Sequence, residues 1–332
     1  MVKQEDILKP LIFLDIFDYP PTAMELWRFL PVQAELGEVI NIPSSFVIPT
    51  EARLARSGGI PLRDPSPSRL GMTTKNGCHF LPGREELVNK RREFFYLSEK
   101  KFKIARRAAW LLHFIPSIGM IAVCNNFYYR PQSDIDFFII AQKGRLWLTR
   151  FFATMLLDLF NLRARGKKTA DRICLSFYLS EDNLNLENIA LKPEDPYLSY
   201  WLAFLEPIYG QECYNKFWEA NGWLKNIFPN ILPKQPVARR CLDGVKNLTH
   251  PVRAARPPLP RRGIFLGDWL EKIAKKIQWQ KLSPRVKEMA AAGDTRVVIN
   301  EQMLKFHEND RREFYREELR VKREKIKEKY NV

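Results

Sequence analysis

The sequence lacks the cysteine patterns that build disulfide frameworks or zinc sites. Its five cysteines are widely spaced among 332 residues, and none forms a C-x-x-C pair or a Cys/His ligand spacing. Cysteines that are few and odd in number fit a reducing compartment. The N-terminus lacks the basic-then-apolar order of a signal peptide. We therefore expect a cytoplasmic protein without zinc.

Long apolar runs are also missing. The most apolar helical stretch, Leu146 to Leu162, is interrupted by Arg150 and Asp158 and is shorter than a membrane span. It predicts a buried helix, and we expect no membrane span. The sequence contains no Walker A loop, no dinucleotide-binding fingerprint and no nucleophile elbow, which excludes the kinase, dehydrogenase and hydrolase classes that depend on them.

Acidic residues are scarce relative to basic ones. The chain has 38 Asp and Glu against 54 Lys and Arg, a formal net charge of +16. This excess favours an anionic partner such as RNA, DNA, a nucleotide or an acidic membrane, although a solvated basic surface without a partner gives the same excess. Hydrophobic residues make up 45%, enough for packed cores, and the length predicts two or three modules.

The first part of the chain has the pattern of helices followed by a hairpin. Ile7 to Phe17 carries apolar residues at helical spacing. Thr22, with Glu25 three positions later, is a capping box that predicts the start of a second helix. Asn76-Gly77 between short apolar flanks predicts a two-residue hairpin turn. Together these signals predict a winged-helix-like module.

Three apolar runs of strand length predict a central mixed sheet. They are Ile118 to Cys124, Ser133 to Ala141 and Arg172 to Leu179, and the helix from Leu146 lies between the last two. Aromatic-rich helical segments follow over residues 193–228. The order of strand, strand, helix and strand predicts a small sheet domain followed by a helical subdomain.

The end of the chain divides into a linker and a helical region. Pro and Arg dominate from Pro233 to Arg262, and then Trp269 to Lys281 and Gln302 to Tyr330 predict two helices. The predicted fold class is α+β, with an N-terminal winged-helix-like module, a central small mixed-sheet domain and a helical C-terminal region. The predicted parts are a winged-helix-like module over 1–83, a connecting helix over 84–116, the sheet domain over 117–190, a helical subdomain over 191–232, the linker over 233–262 and a basic helical tail over 263–332.

Asp134 and Asp136 are separated by one residue on the second apolar run. Strand side chains alternate, so both carboxylates leave one face while Ile135 and Phe137 pack on the other. Two negative charges held this close repel, and divalent cations relieve the repulsion. The pair predicts a two-ion magnesium site of the kind that transfers a nucleotidyl group, with manganese as the alternative ion. An Asp-x-Asp at the solvent end of a buried strand without a metal gives the same pattern.

Ser133-Asp134-Ile135-Asp136, followed by Phe137-Phe138-Ile139-Ile140, resembles the metal motif of the DNA polymerase beta-like nucleotidyltransferases, in which a Gly-Ser loop precedes an Asp-x-Asp strand. Several other segments in the first 230 residues are similar to bacterial nucleotidyltransferase-domain proteins. These segments are Asp15 to Pro20, Phe80 to Glu85, Gly144 to Arg150 and Ile173 to Phe177.

The resemblance implies a nucleotidyltransferase core over residues 117–190 that uses magnesium and a nucleoside triphosphate. It makes Asp134 and Asp136 the catalytic and metal-binding carboxylates. The candidates for contacts with the nucleotide are Asn125, Asn126, Ser133 and Arg145. In the loop before the motif, Tyr128 and Tyr129 either stack on a base or close the core.

Two features depart from the family pattern. Cys124-Asn125-Asn126-Phe127 stands where a Gly-Ser pair would present backbone N–H groups to the triphosphate. The third strand, Arg172 to Leu179, contains no carboxylate, whereas the family pattern has another metal ligand there. Asp171 precedes this strand, Glu181 and Asp182 follow it, and each is a candidate for the missing ligand.

Two functions therefore remain open. The first is a magnesium-dependent nucleotidyltransferase that moves a nucleoside monophosphate from a nucleoside triphosphate to a hydroxyl on RNA, a small molecule or a protein, with activity weakened by the two departures. The second is a catalytically inactive protein with the same fold that binds nucleic acid or a protein partner. In the first case the basic charge predicts an anionic acceptor such as RNA.

Overall fold

The computed structural model describes most of the chain, with several gaps. The described residues are 2–40, 45–48, 70–127, 129–235, 237, 239–242, 261–293 and 295–330. Most of the predicted linker over 233–262, namely residues 243–260, lies outside them, and so does Tyr128.

The described elements place the chain in the α+β class, as the sequence predicts. In chain order they are α1 (Gln4–Asp15), α2 (Ala23–Arg28), α3 (Leu36–Ile40), β1 (Ser45–Ile48), β2 (Leu70–Lys75), β3 (Cys78–Phe80), α4 (Leu87–Leu112), β4 (Ile118–Cys124), β5 (Ile135–Ala141), α5 (Leu146–Leu159), β6 (Ile173–Ser180), α6 (Pro196–Phe204), β7 (Glu206–Tyr209), α7 (Gln211–Ala220), α8 (Arg261–Lys281), α9 (Pro284–Ala291), β8 (Val297–Ile299), β9 (Met303–Phe306) and α10 (Arg312–Tyr330). They divide into two units. The first unit comprises Met1–Glu93, Leu224–Leu232 and Glu313–Val332, and the second comprises Phe94–Trp223 and Pro233–Arg312.

The capping box and the hairpin turn predicted in the first unit are both confirmed. The Thr22 hydroxyl accepts a hydrogen bond from the backbone N–H of Glu25, whose carboxylate accepts one from the backbone N–H of Thr22. Asn76 and Gly77 have φ of 52° and 72°, the left-handed values that a two-residue turn between β2 and β3 requires. Helices α1 to α3 thus precede an antiparallel sheet in which β2 pairs with β1 and β3.

The segment 224–232 belongs to the first unit, although the sequence assigns it to a helical subdomain over 191–232. The buried Asn230 amide donates to the backbone carbonyls of Trp27 and Val32 and accepts from the N–H of Ala34. A polar residue that satisfies three backbone groups leaves no apolar periodicity in the sequence, which is why the pattern does not reveal this attachment.

The described strands of the second unit form a mixed six-stranded sheet. Their order is β7-β4-β5-β6-β9-β8, with β5 and β6 parallel and the other neighbours antiparallel. The three predicted strands are confirmed as β4, β5 and β6. Their continuous apolar runs fit strands that are covered on both faces, and most residues of these runs are buried.

Helix α5 follows β5 and leads to the parallel strand β6. It begins at Leu146 as predicted and buries Trp147, Ala153 and Leu157. The Glu271 carboxylate of α8 accepts hydrogen bonds from the backbone N–H groups of Trp147 and Leu148, so a side chain satisfies the first turn of this helix. Within the described chain, no helix is both long and apolar enough to cross a membrane.

The region predicted as a helical tail over 263–332 also contains the hairpin of β8 and β9. Strand β9 pairs with β6 and thereby extends the sheet, while the rest of the region forms α8, α9 and α10. The prediction misses these strands because they have only three and four residues and because β9 contains Lys305, a residue type that is rare in sheet interiors.

Candidate functional site

Asp134 and Asp136 lie at the start of the inner strand β5. Asp136 pairs with Cys124 of β4 on one side and with Cys174 of β6 on the other. Paired positions on neighbouring strands share a face of the sheet. The ligand atoms of Asp134, Asp136 and Cys174 all lie within 4.8 Å of one another. The structure therefore brings the two predicted carboxylates together and adds a thiol that the sequence did not single out.

A bulge in β6 follows Cys174. The pairing of Asp136 with Cys174 is followed by a register shift, which gives β6 one extra residue before Phe177. Bulges re-aim side chains and are frequent next to functional sites. Ser176, in this bulge, places its hydroxyl 2.8 Å from Nε2 of His307. Burial and neighbouring cations lower the pKa of His307 to about 3, so its imidazole is neutral at physiological pH.

The acidic groups of the cluster hold their protons more tightly than usual. Burial raises the pKa of Asp134, and burial together with the charge of Asp134 raises the pKa of Asp136. Burial, and then the two carboxylates, raise the pKa of the Cys174 thiol well above its ordinary range. The three raised pKa values share one physical cause, because negative charge is concentrated where water screens it poorly. Such a place favours a proton or a cation.

Asn125 connects the loop after β4 to Asp136. Its Nδ2 donates to Oδ2 of Asp136 at 2.9 Å, and its Oδ1 accepts from the Tyr197 hydroxyl at 2.9 Å. Its φ of 55° lies in the left-handed region that favours glycine and that asparagine tolerates better than most residues. Asn125 therefore adopts a backbone conformation that glycine reaches without strain.

Asn126 and Ser133 make contacts away from the two carboxylate groups. Nδ2 of the buried Asn126 donates to Glu206 of β7 at 3.5 Å, and its Oδ1 has no hydrogen-bond partner in the described part of the chain. The Ser133 hydroxyl accepts from the backbone N–H of Arg130 at 3.0 Å and closes the turn that leads into β5. Ser133 thus fixes the approach to the carboxylates, and within the described residues its hydroxyl forms no hydrogen bond with either of them.

The buried Lys101 of α4 supports the same turn. Its Nζ donates to the backbone carbonyl of Ser133 at 2.6 Å and pairs with Asp171 at 3.0 Å, and its charge offsets part of the rise that burial causes in the pKa of Asp134. Asp171 also pairs with Lys100 at 2.6 Å, so this candidate for the third ligand is already bound by two lysines. Among the described residues, neither carboxylate of the Asp134 and Asp136 pair forms an ion pair of its own.

The remaining candidates lie at the far end of the parallel strands. Arg145 follows the end of β5, and Glu181 and Asp182 follow the end of β6, whereas the cluster lies where both strands begin. Seven residues of strand span about 20 Å. The Arg145 guanidinium pairs with Asp268 of α8 at 2.6 Å. The structure does not bring these residues to the carboxylates.

Tyr129 is buried beside the cluster. Its ring stacks on Phe94 and lies under the Lys101 ammonium group, 5.4 Å from the ring centre. Burial, followed by the charges of Asp136 and other nearby groups including Asp134, raises its pKa well above the ordinary value. The hydroxyl has no hydrogen-bond partner within the described residues. Tyr129 therefore closes the core with its ring and leaves an unsatisfied donor near the carboxylates.

The sequence offered only a weak signal for the residues that it missed. Cys174 is the third residue of the predicted strand Arg172 to Leu179, and a parallel register with β5 would have placed it beside Asp136. No local spacing marks the other missed residues, which are Tyr197 on α6, Lys101 on the charge-rich α4 and His307 in the loop after β9. Tertiary folding alone brings them to this site.

The chemistry of the cluster fits a divalent cation. Two carboxylates are the usual protein contribution to a magnesium site, with water and substrate oxygens completing the coordination. The two carboxylates lie close together, and among the described residues neither forms an ion pair, as expected for groups that bind a cation. The Cys174 sulfur is a softer donor than magnesium prefers.

Comparisons with protein-family models, with curated proteins and with solved structures found no match for the chain. We therefore infer the function of this site from its own residues and geometry.

Proposed function

We propose that the chain is a nucleotidyltransferase that depends on a divalent cation held by Asp134 and Asp136. It moves a nucleoside monophosphate from a nucleoside triphosphate to a hydroxyl acceptor on RNA, a small molecule or a protein. The observation that carries the proposal is the pair of neighbouring, partly buried carboxylates at the start of β5. The resemblance of Ser133 to Ile140 to the nucleotidyltransferase metal motif supports the choice of reaction.

In this reaction the acceptor oxygen bonds to the α-phosphorus, the bond to pyrophosphate breaks and the proton of the acceptor hydroxyl passes to solvent. Asp134 and Asp136 would hold the divalent cation, which would supply Lewis-acid activation and neutralise phosphate charge. Asn125 fixes the orientation of Asp136 through its 2.9 Å hydrogen bond, and the Tyr197 hydroxyl fixes Asn125 in turn.

The acceptor in this proposal is anionic, because the chain carries a net charge of +16. We also interpret the first unit as a winged-helix-like module. Its helices α1 to α3 followed by an antiparallel sheet with a tight β2–β3 hairpin support this interpretation. RNA is the acceptor that we would test first.

One observation favours a second function, a catalytically inactive protein that binds nucleic acid or a protein partner. Strand β6 presents the Cys174 thiol beside Asp136, and the described residues place no third carboxylate in the cluster. Salt-dependent binding of RNA without any turnover of nucleotides would support this function.

The decisive experiment incubates the purified chain with each α-labelled nucleoside triphosphate, a divalent metal, total RNA and cellular protein. The Asp134→Asn, Asp136→Asn double variant keeps the side-chain volume and removes both charges. We expect label transfer by the wild type and at least about a 100-fold loss in the double variant, because transition-state charge is no longer stabilised.

A matched control removes two carboxylates from the far end of β6. The Glu181→Gln, Asp182→Asn double variant is expected to retain activity, because these residues lie away from the cluster. If the wild type transfers no label with magnesium, manganese, cobalt or zinc, the enzyme proposal fails and the inactive binding protein becomes the better account.

A further inference from the structure

The third donor of the cluster is a sulfur atom, although the reaction class is usually served by oxygen ligands. Cys174 lies level with Asp136 across the parallel β5–β6 pair, and its Sγ is within 4.8 Å of a carboxylate oxygen of both Asp134 and Asp136. Its thiol also interacts with both carboxylates. All three donors therefore face one small volume.

We propose that Cys174 is a metal ligand that makes this site selective for a thiophilic divalent cation of the zinc and cobalt class over magnesium. The inference rests on the proposed function, because it assumes that Asp134 and Asp136 hold a catalytic ion. Magnesium prefers six oxygen ligands, whereas zinc and cobalt bind thiolate, imidazole and carboxylate together. Catalytic zinc sites typically combine three protein ligands with one open position for water or substrate.

The geometry is compatible with such a site after a small contraction. Tetrahedral zinc with bonds of about 2.0 Å to oxygen and about 2.3 Å to sulfur separates two oxygens and one sulfur by roughly 3.3–3.5 Å. The three ligand atoms lie within 4.8 Å of one another, so movements on the order of 1 Å would close the site. On binding, the sulfur–metal bond forms, the S–H bond breaks and the proton leaves to solvent, with no change of oxidation state.

The surroundings of the cluster supply the outer contacts that metal ligands usually have. Asn125 donates to Asp136, and the Ser176 hydroxyl lies between the Cys174 thiol, with which it interacts, and the neutral His307. The buried Tyr129 hydroxyl has no hydrogen-bond partner among the described residues and feels the charges of both carboxylates, so it is a polar atom beside the cluster that these residues leave unsatisfied.

Cobalt provides the test, because a cobalt–thiolate bond gives a sulfur-to-metal charge-transfer band in the near ultraviolet. We expect this band when Co²⁺ is added to the wild-type chain, and we expect its loss in Cys174→Ser. The control variant is Cys124→Ser, which changes the cysteine on the other side of Asp136. Its sulfur is outside the three-ligand cluster, so the band should persist.

Metal competition measures the selectivity directly. Replacement of Cys174 by Asp should lower the ratio of zinc to magnesium affinity by about 10-fold to 100-fold or more, because the soft donor becomes a hard one. This variant also supplies the missing carboxylate on β6, so transfer activity with magnesium should increase. Thermal unfolding of each variant shows whether it is folded.

The outcomes separate this inference from the proposed function. If magnesium or manganese binds in an Asp134-dependent way but cobalt gives no charge-transfer band and Cys174→Ser leaves the metal preference unchanged, the role of Cys174 is refuted and the transferase proposal survives. If cobalt gives the band but no variant or metal supports label transfer, Cys174 is a ligand of a non-catalytic metal site and the transferase proposal fails. If no divalent cation binds, both fail.

Discussion

Two clusters of buried or partly buried charge in the second unit show opposite designs. Around β9, Lys305 and Arg312 each form an ion pair with Asp310 at 2.8 Å, and Arg312 also pairs with Asp195 at 3.2 Å. Two basic side chains therefore balance the charge of two carboxylates. At the start of β5, Asp134 and Asp136 face each other and a thiol, without an ion pair among the described residues.

The difference is the one expected between buried charges that serve stability and charges that are kept for a ligand. A buried charge that serves stability has an opposite charge and hydrogen bonds, because desolvation is otherwise too costly. Although burial raises the pKa of Asp310, the charges of Lys305 and Arg312 lower it overall. The pKa of Asp136 is instead raised, by burial and by its neighbour. Residues kept in such an unfavourable setting are candidates for ligand binding.

The largest expected effect comes from breaking the paired cluster. Arg312→Met leaves Asp195 and Asp310 with one cation fewer, and we expect it to lower the free energy of unfolding by about 3–5 kcal/mol. Urea unfolding of wild type and variant measures this. The control Arg285→Met removes an exposed pair with Glu308, so no clear change is expected. Equal stability of Arg312→Met and wild type would show that the pairing is not needed.

A smaller effect is expected at the loop that carries Asn125. Position 125 has a φ of 55°, which alanine disfavours, and Asn125→Ala also removes the hydrogen bond to Asp136. We therefore expect the free energy of unfolding to fall by about 1–2 kcal/mol. Asn125→Gly removes the same hydrogen bond but relieves the backbone, and should be about 1 kcal/mol more stable than the alanine variant. Identical chemical unfolding curves for the two variants would argue against the backbone role.

The free energy of unfolding should change in the opposite direction when Asp136 is substituted. Asp136→Asn removes one of two like charges from a poorly solvated site, so at neutral pH without metal we expect the free energy of unfolding to increase by about 1 kcal/mol. Thermal unfolding in a chelating buffer measures the change. A less stable variant would mean that Asp136 is compensated by contacts beyond its bond to Asn125.

The pH dependence of this gain has a definite sign. The folded-state pKa of Asp136 is raised above its ordinary value of 3.8, so between pH 3.8 and the folded-state pKa the folded state binds more protons than the unfolded state. The stability of the wild type therefore falls as pH rises through the folded-state pKa. The advantage of Asp136→Asn should therefore be small near pH 4 and larger at pH 7. An advantage that shrinks as pH rises would overturn this assignment.

The sequence predicts the inner strands and the carboxylate pair because local patterns encode both. Continuous apolar runs fit the buried strands β4, β5 and β6, and the alternation of strand side chains places Asp134 and Asp136 on one face. The β2–β3 turn is equally local, since Asn76-Gly77 supplies both left-handed residues.

The rest depends on contacts between distant segments. The partner of Asp136 on β6 is set by strand register and by a bulge, so the sequence pointed to Asp171, Glu181 and Asp182 and passed over Cys174. Arg145 follows Asp134 and Asp136 closely in sequence, yet β5 carries it to the far end of the sheet. Strands β8 and β9 are too short for a periodic signal.

A binding measurement would show whether Asp134 and Asp136 hold a divalent cation. Isothermal titration calorimetry would compare wild type with the Asp134→Asn, Asp136→Asn double variant, using magnesium, manganese, cobalt and zinc in turn. We expect saturable binding of at least one ion to the wild type and its loss in a double variant that remains folded. Equal binding by both proteins, or no binding by the wild type, would contradict it.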